Sequence, residues 1–389
     1  MCSEWYKWLE SQGMRKVDDV FARLREMSRA IVGIEGHDLF SLSMPPSGLA
    51  RVDLLIKAQG IHRDLNLYNH RIGAFFPGGN WTTGVERRAV TYPLRELEKL
   101  RLSLPCFVAV IPAVRHAVRG IKPGYPRGSR WLRAIGELVI EGYFRSGRWL
   151  KTKHGGIHAV GSLTNEQRSE AVRVLALSDI SGKHGITAIP RLFYGTSQMV
   201  ELPGTAERPE GIPLEENTVR TPPQHTWRFL AHDSEPPLVG PSGGRIEVCS
   251  AHWHSLQTDL AQAGLLLEPT SRFRFATELV RHTAILAVCG YGELTFRHGE
   301  ALRAGRALVS QSISHAETMF PFEDNFNVVF VRPDLGDLPD VLTRIRRGPG
   351  EFDRIGAQGR HDWLAWSGDP ASLLHAGVTR HVSEALERA

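Results

Sequence analysis

At 389 residues the chain is long enough for more than one core, and 42% hydrophobic against 23% charged residues is the balance of a globular protein, not of a disordered or fibrous one. Its longest apolar run, CFVAVIPAV (106–114), falls short of the ~20 residues that cross a bilayer, and the start MCSEWYKWLESQGMRK carries acids and lacks the apolar stretch of a secretion signal, so a cytoplasmic protein is expected. The net charge of +5 hides an asymmetry, since residues 1–150 carry 23 Lys+Arg against 14 Asp+Glu while residues 151–389 carry 24 against 28, so the halves are expected to meet different partners or different parts of one ligand.

Helical spacing opens the chain, with Val17, Val20, Phe21, Leu24 and Met27 on one predicted face. AIVGIEG (30–36) and RVDLLIKAQG (51–60) have the short, apolar, β-branched character of buried parallel strands, and each runs into a glycine loop. RIGAFFPGG (71–79) and PCFVAVIPA (105–113) read as further strands, with a helix expected between them over 93–104. From Lys99 to Gly136 eight Lys or Arg occur without one acid, interleaved with Phe107, Tyr125 and Trp131. Such a run attracts phosphates on a lipid, a nucleic acid or a nucleotide, or is a solvated basic face.

The pattern restarts at GGIHAVGSLTNEQRSEAVRVLALSD (155–179), a strand followed by a helix with Thr164 as N-cap and Gln167 three residues on. The expected division is an N-terminal domain over 1–150 and a C-terminal domain over 151–389, the latter carrying a Pro/Gly-rich excursion at 195–245 with one or two strands. GRIEVCS (244–250) reads as a strand, HSLQTDLAQAGLLLEP (254–269) as a helix and its exit, and SRFRFATELVRHTAILAVCGYG (271–292) as a helix leading into a strand. EALRAGRALVSQS follows as helix, Gly305 cap and strand, then NVVFVRP as a strand, and two helices close the chain. Alternation of this kind predicts α/β architecture with mostly parallel sheets.

Four scattered cysteines show no metal or disulfide spacing, and three of them are read as small core residues with reduced thiols. His252 and His254 would share a strand face but have no evident third ligand, so a metal site is not expected.

The chemistry concentrates where the apolar run 284–289 stops at Gly290-Tyr291-Gly292. Parallel sheets bind ligands where a strand ends and the next helix begins, and glycines there admit backbone N–H groups to a phosphate. Arg297 adds a forked phosphate contact and Glu300, one turn on, accepts two sugar hydroxyls. An ordinary strand-to-helix turn is the bland alternative. GIEGHDLF places Glu35, His37 and Asp38 just after the first strand, where parallel-sheet proteins put their chemistry, so Asp38 is a catalytic candidate with His37 beside it, or merely a turn cap. Lys57, closing the next strand, lines the same strand-end site or pairs with Asp53 or Asp64.

The order strand, G-x-G-x2-T-x-R-x2-E-A-L-x-A-G, strand, V-V-x-V and terminal helices resembles the donor-binding half of GT-B-fold glycosyltransferases, the group near the exostosin-like and spore-coat or capsule enzymes. The likeness is clearest over 271–360, extends back to 155, and is faint over 30–76. It implies two Rossmann-like domains facing a cleft: an acceptor-side domain, and a donor domain that transfers a sugar from a nucleotide to a glycan or lipid-linked acceptor without a bound metal or other cofactor. By position, Glu300 corresponds to the ribose-binding carboxylate. Gly290, Gly292, Thr295 and Arg297 correspond to the diphosphate or sugar contacts, and Arg168 and Lys183 stand nearest to the usual cationic clamp. Glu293 and Glu300 are separated by six residues rather than the seven of many retaining members. Peripheral contact with an anionic membrane fits the basic run. The competing readings are a non-catalytic nucleotide- or glycan-binding protein of this fold and a nucleic-acid-binding protein using 99–136.

Overall fold

The computed structural model describes residues 6, 9–10, 12–35, 42, 44–72, 85–87, 91–105, 142, 144, 154–162, 166–178, 182–187, 201–202, 238–239, 245–246, 259–267, 270, 272–289, 293–333 and 335–388. Helix α1 (Met14–Met27) buries Val17 and Phe21 beside Tyr6, Leu9 and Leu49. Its apolar stripe ends at Leu24, because Met27 in the last turn is 74% exposed. The chain then enters β1 (Val32–Glu35), helix α2 (Pro46–Arg51) and β2 (Leu54–Lys57), followed by β3 (Ile61–His62) and the antiparallel pair β4 (His70–Ile72) and β5 (Val85–Arg87).

The helix expected over 93–104 is only one turn long, α3 (Leu94–Leu97), and Leu100–Leu102 forms strand β6 instead. Alternation of Leu100, Leu102 and Leu104 with Arg101 and Ser103 has period two, and pairing with Leu55–Lys57 satisfies the backbone that a longer helix would have satisfied internally. The resulting parallel sheet has the order β1-β2-β6. The strands expected within 73–79 and 106–113 lie outside the described residues.

A second sheet holds six strands, all parallel: β7 (His154–Ser162), β8 (Gly182–Thr187), β12 (Leu266–Leu267), β13 (His282–Ala287), β14 (Ala307–Gln311) and β16 (Val329–Val331). Within the Pro/Gly-rich excursion and just past it, β9 (Glu201–Leu202), β10 (Leu238–Val239) and β11 (Arg245–Ile246) form a small antiparallel sheet of two-residue strands.

Side chains alternate across β13, and this builds a core on each face. Ile285 and Ala287 join α5 (Arg272–Val280), α6 (Phe296–Ala304) and Trp363 of the long helix α8 (Pro349–Ser367). Ala284 and Leu286 join α4 (Glu166–Leu177), α7 (Leu338–Arg347) and the start of α8, through Leu175, Leu342 and Phe352. Gly305 ends α6 in the left-handed conformation (φ 65°), as a helix stop before a strand requires.

Among the described residues the early and late parts of the chain meet in several places. Strand β15 (Ala316–Glu317), just after β14, pairs antiparallel with β3, just after β2. After α9 (Pro370–Leu374) and a π turn at His375–Thr379, helix α10 (Arg380–Arg388) packs Ala385 on Leu54 and Ile56 of β2. His381 Nε2–H donates to Leu102 O (2.9 Å), and Arg101 pairs with Glu384 (3.4 Å). No helix among the described residues is long and apolar enough to cross a membrane.

Candidate functional site

Strand order in the six-stranded sheet is β12-β8-β7-β13-β14-β16. The chain therefore steps outward from β7 to one edge, returns across the middle to β13, and steps outward to the other edge. Between β7 and β13 the following connections diverge to opposite sides, which opens a crevice at the carboxyl ends of both strands, the place where open α/β sheets bind their ligands. The two strands stay paired as far as His158 and Ile285 and then part.

A cavity of about 270 Å³ occupies this crevice. Its floor is apolar (Ala159, Ala171, Val172, Leu286, Val288), and its polar wall brings together Arg168, Thr295, Arg297 and Glu300, four residues singled out from the sequence. They come from two helices that start beside the crevice, α4 after β7 and α6 after β13.

The two arginines cross-brace the strand ends. Arg168 Nε donates to Cys289 O beyond β13 (3.3 Å), and Arg297 Nη2 donates to Val160 O of β7. The Arg297 guanidinium also lies 4.5 Å from the centre of the Phe275 ring, and its Nη1 lies 3.4 Å from Glu300 Oε2, an ion pair without hydrogen-bond geometry. Burial pulls the Arg297 pKa below its usual value, and the Glu300 carboxylate acts in the opposite direction. A desolvated guanidinium beside a cavity favours an anion there, because opposite charge is worth more where water is excluded.

His298 holds the first turn of α6. Its Nδ1 accepts the Thr295 N–H (3.0 Å), and the remaining nitrogen, Nε2, then carries the proton and donates to Ser310 Oγ (2.9 Å). Burial lowers its pKa to about 4, so the imidazole is neutral at ordinary pH and keeps this arrangement. The sequence reading overlooked His298; the T-x-x-H spacing, with histidine in the place of the usual Glu or Gln, was the available signal. Phe275 and Phe296 were also missed as cavity residues.

Other candidates lie elsewhere. Lys183 sits on β8 and pairs with Glu278, outside the cavity lining, so the second cation at this site is Arg168. Gly290, Gly292, His37 and Asp38 lie outside the described residues. Glu35, at the end of β1, is fully buried, with Lys57 at the matching position of β2 3.6 Å away and the Met44 N–H at 3.2 Å. Lys57 thus pairs with Glu35 and not with Asp53 or Asp64: Asp53 holds Arg25 in a two-pronged bond, and Asp64 caps the Asn66 N–H. Two of the eight basic residues of 99–136 make internal ion pairs, Lys99 with Glu96 and Arg101 with Glu384, and the other six lie outside the described residues. Cys289 is buried with its thiol pKa pushed up by desolvation, as a core cysteine should be, and no group of three or more metal-ligating side chains occurs among the described residues.

No family model, no curated protein and no solved structure matches this chain.

Proposed function

We propose that the chain is a GT-B-type glycosyltransferase that moves a sugar from a nucleotide donor to a glycan or lipid-linked acceptor. The observation that carries this reading is the cavity at the crossing point of the parallel sheet, in which Arg168, Thr295, Arg297 and Glu300 converge. The contact of β15 with β3 supports two sheets whose carboxyl ends approach each other, the arrangement such a transfer needs.

In this mechanism Glu300 accepts the two ribose hydroxyls of the donor. The bond from the anomeric carbon to the diphosphate oxygen breaks, and the negative charge gathering on that oxygen is met by the two arginines and the N-terminus of α6. The acceptor hydroxyl forms the new bond and gives up its proton to a base, assigned from the sequence to Asp38. Glu35, sealed in its ion pair, anchors the end of β1 two residues before His37.

Thermal shift against UDP, ADP and GDP tests nucleotide binding, which stabilises the fold in proportion to occupancy. Glu300→Gln preserves shape but removes a charged acceptor worth roughly 1.5–3 kcal/mol, so the dissociation constant of the best diphosphate should rise at least tenfold by calorimetry in a variant that circular dichroism shows to be folded. Equal affinity in the folded variant overturns the ribose assignment. Turnover with a matching sugar nucleotide separates an enzyme from a binding protein of the same architecture.

A further inference from the structure

Side chains alternate along β14, and Ala307 and Val309 enter the core that α4 covers. The next position on that face is Gln311, 3% exposed, a polar residue where the pattern asks for a third apolar one. Its amide spans the neighbouring strand ends. Oε1 accepts the N–H of Cys289, two residues past β13 (2.8 Å), and Nε2 donates to the carbonyl of Pro333, two residues past β16 (2.5 Å). The Cys289 carbonyl in turn accepts Arg168 Nε (3.3 Å). A continuous line of bonds thus runs from the end of β16 through Gln311 and Cys289 to an arginine of the cavity wall.

We infer that Gln311 is a positioning residue for anion binding, acting on Arg168 through Cys289. This rests on the proposed donor site and adds what fixes its second cation. Arg168 stands in the first turn of α4 and reaches across the crevice to the far strand. A bond at Nε fixes the plane of a guanidinium, and forked recognition of a phosphate depends on that plane. The acceptor of that bond lies beyond the paired part of β13, whose register with β14 ends at Ala287 and Ser310, and directly before Gly290. There the Gln311 amide takes over from strand pairing and holds the Cys289 N–H, so the Cys289 carbonyl keeps its place. A glutamine that served the fold alone would stabilise the strand ends and have no bearing on anion affinity in a folded variant.

Calorimetry on the full chain with inorganic pyrophosphate, or with the best of UDP, ADP and GDP where pyrophosphate does not bind, tests this in a double-mutant cycle. Gln311→Leu, apolar and of similar size, should weaken the anion roughly tenfold, the low end of what a hydrogen bond to a charged group contributes. In an Arg168→Leu background the same change should cost less than twofold, because the side chain that Gln311 positions is gone. Unchanged affinity in folded Gln311→Leu, or an equal loss in both backgrounds, overturns the inference and leaves the donor site standing. The wild type gives a second measurement that needs no variant to fold. Coupling is reciprocal, so saturating anion should slow hydrogen exchange of the Cys289 amide at least fivefold while the remote Leu55 amide keeps its rate. Anion bound with Cys289 exchange unchanged overturns the inference as well. If the wild type binds neither pyrophosphate nor any of the three nucleotides, the inference and the proposed donor site fall together.

Discussion

Acidification from pH 7 to pH 5 should strip several kcal/mol from the stability of this protein. His158, His298 and His315 are held neutral by burial: His298 falls to about 4, His315 to about 3, and His158 well below the ordinary 6.5. For His158 desolvation is the main cause, followed by the positive charge of Arg297. Below pH 6.5 the unfolded chain takes up protons at these positions while the folded chain does not, so stability declines as pH falls, from about 6.5 down to the folded-state values. Each such group contributes up to ~1.4 kcal/mol per pH unit, and three together up to ~4. Against a total of about 5–15 kcal/mol, this brings unfolding close to pH 5. Urea unfolding at pH 7, 6 and 5 measures the slope, and His298→Gln, which cannot titrate, should remove about a third of it. A stability that stays level over this range refutes the expectation.

Lys57→Met should cost about 3–5 kcal/mol, the second large effect. The substitution removes the cation facing the fully buried Glu35 carboxylate and so takes away a counter-charge that offsets its burial. Adding Glu35→Leu should recover much of the loss, because two apolar side chains of similar volume need no compensation. Denaturation midpoints of the two single variants and the double variant decide it: additive losses would mean that the pair is not coupled in the folded protein.

Much of the sheet was legible from the sequence because strands buried on both faces read as continuous apolar runs. β2, β13 and β14 carry the uninterrupted apolar stretches LLI (54–56), AILA (284–287) and ALV (307–309), which mark them as buried strands. Gly305 and the cavity residues Arg297 and Glu300 were legible for a similar reason, since helix stops and helix starts carry local signatures. What escaped is non-local. Nothing within Leu100–Leu102 says that Leu55 waits beside it, and nothing in Lys183 says that Glu278, 95 positions later, will take its charge. The return from β12 across the sheet to β13, which creates the crevice, is a property of strand order and has no signature in any single segment. Arg168 entered the sequence reading only as a counterpart by resemblance, and its bond to Cys289 O at the far strand gives it a place at the site.

The packing of α10 on β2 also bears on how the chain folds as it is made. Leu102 and His381, which hydrogen-bond across this contact, lie 279 positions apart. At ~5–20 residues per second, the ribosome delivers the second roughly a quarter of a minute to a minute after the first. For that interval Leu54 and Ile56 have no Ala385 to cover them, and an uncovered apolar sheet face is a ready binding surface for a holdase chaperone.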